Sequence, residues 1–124
     1  FTLDGQDAGG PCECVEGAGD EFDGTSLDTA KFNHIVRDDA TAYNVSGGAL
    51  NVTTKNGDIY TAGNSPTAGP FFLQTADHAG ADWVIETKVD ASTLSGGYEQ
   101  AGLLAYKDDD NYVMSVIKSN VVPV

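Results

Sequence analysis

Turn-forming clusters recur along this chain, and the stretches between them do not carry the apolar period of a helix. Ser46-Gly47-Gly48, Asn56-Gly57, Gly63-Asn64-Ser65-Pro66 and Ser95-Gly96-Gly97 punctuate the sequence, and such residues set turns through positive φ, fixed φ or side-chain hydrogen bonds to the backbone. No helix-period stretch of useful length lies between them. Asp outnumbers Glu 14 to 5 and the strong helix formers are scarce, as expected of a β protein with many tight turns.

The segments between turns read as strands. Phe32 to Arg37 makes a short one. Tyr43-Asn44-Val45 and Ala49 to Thr53 flank Ser46-Gly47-Gly48 as a hairpin. Phe71 to Gln74 is a short apolar run. Asp82 to Val89 is the best period-two segment, with Trp83, Ile85, Thr87 and Val89 on one face and Val84, Glu86 and Lys88 on the other. Trp83 is expected in the core. Glu99 to Tyr106 and Tyr112 to Lys118 read as two long strands joined by a hairpin loop, Lys107 to Asn111. Thr25 to Asp28 reads as a turn or a single helical turn. About eight strand candidates result, and they predict an all-β, antiparallel β-sandwich. Residues 1–19, dominated by Gly and acids, read as a linker or N-terminal extension, and 20–124 as one module.

Charge restricts the partners. The chain has 124 residues, 19 Asp and Glu against 6 Lys and Arg, and a formal net charge of −13. Without clustered bases it is not expected to bind nucleic acid or an anionic membrane surface. No run of 18 apolar residues occurs to cross a bilayer. A start at Phe1 without a basic leader suggests a mature or excised segment. The acidity fits solubility design in a secreted or salt-exposed protein, or cation binding. Cys12 and Cys14, in Gly-Pro-Cys-Glu-Cys, do not make a four-ligand zinc pattern. A bridge between them would be strained, which leaves partners outside this chain, a redox pair or a metal-ligand pair.

Several blocks in order resemble a known module. Asp20-Glu21-Phe22-Asp23-Gly24-Thr25-Ser26-Leu27-Asp28, Gly48 to Val52, Phe72-Leu73-Gln74 and Asp82 to Val89 are followed by Tyr98 to Tyr106 with Asp108 to Val113. This series resembles the concanavalin A-like (laminin-G-like) jelly-roll modules at the C-terminus of family 43 β-xylosidases and in related secreted bacterial proteins. The resemblance covers residues 20–118. It implies a jelly roll and a non-catalytic, carbohydrate-associated role in a secreted protein, contacting polysaccharide or oligosaccharide or supporting a glycoside hydrolase. The hydrolytic carboxylates of that family sit on a separate propeller, so no catalytic residue carries over. Such modules continue for several strands beyond the Asn-Tyr-Val block. The chain is therefore expected to be truncated, cleaved, or completed by a partner chain or domain. The alternative reading follows from this: a structural, self-associating or adhesive subunit whose sandwich is completed by strands from a partner.

Two sites are expected. Sugars present flat apolar faces ringed by hydroxyls, so their sites pair aromatic platforms with polar acceptors. Tyr98, Glu99, Gln100, Tyr106 and Tyr112 are the candidates, with Tyr43 and Tyr60 near other polar turns. A structural calcium ion at the domain's start would use Asp20 and Asp23, among the acids Asp20, Glu21, Asp23 and Asp28, while Asp108 to Asp110 form a second acidic cluster; neither matches an EF-hand. Catalysis is not expected. Glu86 and Glu99 on strands could form a carboxylate pair across a concave sheet, but carboxylates are so abundant that such pairs arise by chance, and no G-x-S-x-G elbow occurs. Asn44-Val45-Ser46 and Asn51-Val52-Thr53 match glycosylation sequons, with meaning only in a eukaryotic source.

Overall fold

The computed structural model describes residues 19–59, 67–75 and 84–119. All regular structure within them is strand: β1 (His34–Val36), β2 (Tyr43–Val45), β3 (Leu50–Val52), β4 (Phe71–Leu73), β5 (Gln100–Asp108) and β6 (Asn111–Lys118). They form three two-stranded antiparallel sheets, β1–β4, β2–β3 and β5–β6. Among the described residues no helix occurs, and none is long and apolar enough to cross a membrane.

The β2–β3 hairpin follows from its turn. Val45 faces Leu50, and the Ser46 N–H donates to the Ala49 carbonyl at 3.0 Å. Gly47 and Gly48 between them have φ of +64° and +71°, the type I′ pattern, whose twist matches that of the flanking strands. β5 and β6 pair from Gln100–Lys118 to Asp108–Asn111, with a register irregularity between Tyr106 and Asp108. The expected five-residue loop is thus shorter, with only Asp109 and Asp110 between the strands. Asp108 holds it closed: its carboxylate accepts from the Asp110 N–H at 3.0 Å and the Asn111 side-chain amide at 2.7 Å.

β1 and β4 are brought together from distant sequence, His34 facing Leu73 and Val36 facing Phe71. The Asn33 side chain accepts from both the N–H and the hydroxyl of Thr75, at 2.9 and 2.8 Å, extending this pair by side chain. Phe72 of β4 meets Tyr43 of β2 edge-on, ring centroids 4.8 Å apart, and Phe71 meets Tyr106 of β5 at 5.7 Å. Aromatic contacts of this kind tie β2 and β5 to β4. The expected turn near Thr25–Asp28 is centred slightly later: Asp28 accepts from the N–H groups of Lys31 and Phe32 through its carbonyl and from that of Ala30 through its carboxylate. Phe22 stacks on Phe32 above this turn. Among the described residues the buried hydrophobic side chains are Ala42, Val45 and Ile59.

One strand expectation is overturned. Val84 to Asp90 has no strand pairing, and Val84 and Ile85 stand largely exposed. Alternation gives a segment two chemically distinct faces, but a strand also needs a neighbour to bond with, and none reaches this segment among the described residues. Trp83, Tyr60, Cys12, Cys14 and nearly all of the proposed linker lie outside the described residues.

Candidate functional site

The five residues expected to contact sugar lie at opposite ends of the β5–β6 hairpin. Tyr106 and Tyr112 are cross-strand partners beside the turn. Gln100 faces Lys118 at the far end, and Tyr98 and Glu99 lead into it. Gln100 and Tyr106 are six steps apart along the strand, about 20 Å, so the structure divides the five into two groups.

At the far end Glu99 is occupied by the backbone. Its carboxylate accepts from the N–H groups of Ser95 and Gly96, each at 2.8 Å, and from the Thr54 hydroxyl at 2.9 Å. The Gly96 N–H, then the Thr54 hydroxyl, hold its pKa below the ordinary glutamate value, because donors favour the charged form. It thereby closes the loop that precedes β5. Tyr98 has φ of +74°, unusual for a bulky residue. Its side chain is exposed, with the Lys118 ammonium 4.4 Å from the ring centroid, a cation–π arrangement. Glu86, the other carboxylate weighed as a catalytic partner, is exposed on a segment without strand structure, so the two do not share a concave sheet.

The turn end is more organised. The Tyr106 hydroxyl donates to Asp109 at 2.8 Å. Burial, and then this carboxylate acceptor, push the phenol's pKa up. Arg37 Nη1 reaches both oxygens of Asp109 at 3.0 Å, its Nε donates to the Ala68 carbonyl, and its guanidinium lies 5.0 Å from the Phe71 ring centroid. Tyr106, Asp109, Arg37 and Phe71 thus join the hairpin turn to β1 and β4. Next to this cluster is a shallow, solvent-open hollow of about 570 Å³, bordered by Ala105, Tyr106, Lys107, Asp110, Asn111, Tyr112 and Val113. It puts two tyrosines, two polar acceptors and a lysine around one surface. In the sequence Asp109 stands out only as one of the acidic cluster Asp108 to Asp110, and Arg37 does not stand out as a site residue, although it is the chain's only arginine and so the only group with a planar guanidinium fork.

At the domain's start Asp20 accepts from the Phe22 N–H at 2.8 Å and lies 3.9 Å from the Lys31 ammonium, while Asp23 is exposed. Among the described residues no three His, Cys, Asp or Glu side chains gather closely enough to hold a metal ion. Asn44 and Asn51, of the two sequons, face each other across β2 and β3, and the Asn51 amide donates to the Ser46 carbonyl at 3.2 Å. Comparison with protein-family models, with curated proteins and with solved structures finds no match to this chain.

Proposed function

We propose that the chain is a non-catalytic, carbohydrate-contacting module of a secreted protein, built on the plan of a jelly-roll β-sandwich and serving beside a glycoside hydrolase. The observation that carries this reading is the hollow at the β5–β6 turn, where Tyr106 and Tyr112 lie together with Lys107, Asp110 and Asn111. A shallow open surface suits a polymer that passes over it better than a small molecule that must be enclosed. Aromatic rings supply apolar platforms, while the carboxylate and amide accept from or donate to hydroxyls. The Arg37–Asp109 pair, in which Nη1 reaches both carboxylate oxygens, ties the turn to the residue after β1 and limits the ordering that binding would require.

Titration of the protein against a panel of soluble polysaccharides, followed by calorimetry or retarded migration in polysaccharide gels, tests the reading. Saturable binding to at least one member is expected. Tyr112→Ala should remove it, and Tyr98→Ala, at the other end of the hairpin, should leave it in place. Binding to no member of a broad panel, or a Tyr112→Ala variant that binds like the parent, overturns the reading. Release of reducing ends from the same panel would replace the module with an enzyme.

A further inference from the structure

β6 bears a continuous stretch of uncovered apolar side chains. Val113, Met114, Val116 and Ile117 are 74%, 44%, 38% and 51% exposed, so both faces of the strand are apolar and open. β5 lies along one edge of β6, and among the described residues no backbone hydrogen bond reaches the other. Natural sheets usually blunt such an edge with charge, proline or a bulge. From Tyr112 to Ile117 β6 has none of these, and the register irregularity of this hairpin falls near its turn.

The peptide groups that face the open edge can be assigned. The Ser119 N–H donates to the Glu99 carbonyl at 2.9 Å, continuing the β5–β6 register by one position. Antiparallel ladders alternate bonded and non-bonded pairs. Val113, Ser115 and Ile117 therefore turn their peptide groups toward β5, and Tyr112, Met114, Val116 and Lys118 turn theirs outward.

We propose that this edge pairs with the same edge of a second copy of the chain, antiparallel, about a two-fold axis at Ser115. In that register Met114 of one copy exchanges hydrogen bonds with Val116 of the other. Val113 lies beside Ile117, and Ser115 meets its own counterpart in a non-bonded pair. The strand is complementary to itself in polarity, since apolar residues meet apolar residues on both faces. It is also complementary in charge: Lys118 at one end comes beside the other copy's turn, where Asp110 is exposed while Asp108 and Asp109 are held within their own chain. Parallel pairing would instead set lysine beside lysine and acidic turn beside acidic turn. A shift by one residue would bring bonded positions opposite non-bonded ones and exchange the faces. A two-fold interface closes on itself, so the product is a dimer rather than a fibre.

Sedimentation velocity of the full chain over a range of concentrations should show a monomer–dimer equilibrium with no polysaccharide present, so this proposal and the glycan reading fail separately. Met114→Lys with Val116→Lys places like charges across the new ladder and should weaken the dimer about tenfold or more, with an unchanged circular dichroism spectrum because both side chains are already exposed. In a Cys12→Ser/Cys14→Ser background, Ser115→Cys should form a covalent dimer on mild oxidation, since the non-bonded pair brings the two Cα atoms within disulfide range. Val113→Cys alone should not link to itself but should link to Ile117→Cys when the two are mixed. A monomer at every concentration, growth beyond dimers, or Val113→Cys linking to itself as readily as Ser115→Cys overturns the proposal.

Discussion

Arg37 shows how much one side chain can organise in a chain so short of bases. It follows β1 directly, with φ of +53°, a left-handed conformation that costs a residue with a Cβ about 1–2 kcal/mol. Two nitrogens of its guanidinium make contacts that act against that cost, while Nη2 is buried without a hydrogen-bond partner among the described residues. One nitrogen spans both oxygens of Asp109, 72 residues away in sequence, and another donates to the Ala68 carbonyl. The side chains of Arg37 and Asp109 are 26% and 31% exposed, so the pair is partly shielded from water and should exceed an ordinary surface ion pair. Arg37→Ala should lower the free energy of unfolding by about 2 kcal/mol, read from the midpoint and slope of urea denaturation. Arg37→Lys should restore less than half of this, because a single ammonium cannot serve Asp109 and Ala68 together. Full recovery by lysine would mean that charge alone, not the planar fork, ties the turn to β1 and β4.

The elements differ in how plainly the sequence announces them. The β2–β3 hairpin is written in four residues, because Gly47 and Gly48 accept the positive φ that a type I′ turn demands. The β5–β6 hairpin is equally local, two long apolar-rich runs on either side of an acidic turn, and its loop is shorter than the sequence suggests. The β1–β4 pair is not legible, since nothing within His34–Val36 specifies Phe71–Leu73 as its partner; that pairing depends on tertiary contacts such as Asn33 with Thr75 and Phe72 with Tyr43. Val84 to Val89 is the converse case, a clear alternation that lacks a ladder. The candidate site was half legible for the same reason. Tyrosines and acceptors could be picked out by type, but the strand that carries Gln100 and Tyr106 sets them apart along its length, and Glu99 serves its own loop.

At the level of the element, glycines give a graded test. A Cβ built on Gly102 of β5 would collide with the Ser115 carbonyl of β6, a backbone group that cannot swing away. Gly102→Ala should therefore destabilise the hairpin by about 1–3 kcal/mol. At Gly96 the nearest atoms are side-chain atoms of Glu99, at 3.0 Å, rather than a closer backbone group, so Gly96→Ala should cost less, through a shift of Glu99 against its own hydrogen bonds. Gly24 has only the Ser26 backbone near it, at 3.6 Å, an ordinary contact, and its alanine variant should be close to neutral. Thermal midpoints of the three variants check the order, and a Gly102→Ala protein as stable as Gly24→Ala would show that β5 and β6 are less closely paired than the structure has them.

For the whole molecule the governing quantity is charge, 19 acids against 6 bases. Only some of those acids are tied into the fold. Asp39 is held well below the ordinary aspartate range by its hydrogen bond from Lys55 and then by the Thr41 hydroxyl and N–H. Glu99 is lowered by the Gly96 N–H and the Thr54 hydroxyl, and Asp108 by the Asn111 amide. A carboxyl whose folded pKa lies below its unfolded value binds fewer protons in the native state. Its contribution to stability is complete above the unfolded pKa, about 4, and is lost as pH falls through the lower, folded value. The Asp39→Asn/Glu99→Gln double variant should therefore melt below the parent at pH 7. The gap should persist to about pH 5, narrow progressively below about pH 4 and be smallest near pH 2. The two phenols with raised pKa values, Tyr43 and Tyr106, are held up first by burial and then by Asp38 and Asp109, and they act at the opposite limit. Their contribution is complete below the unfolded tyrosine value, near 10, and is lost as pH rises through the higher, folded value. Melting temperatures of parent and variant across the acid range decide the matter. A gap that stays constant from pH 7 to pH 2 would mean that the substitutions act through packing or neutral hydrogen bonds rather than through the ionised carboxylates.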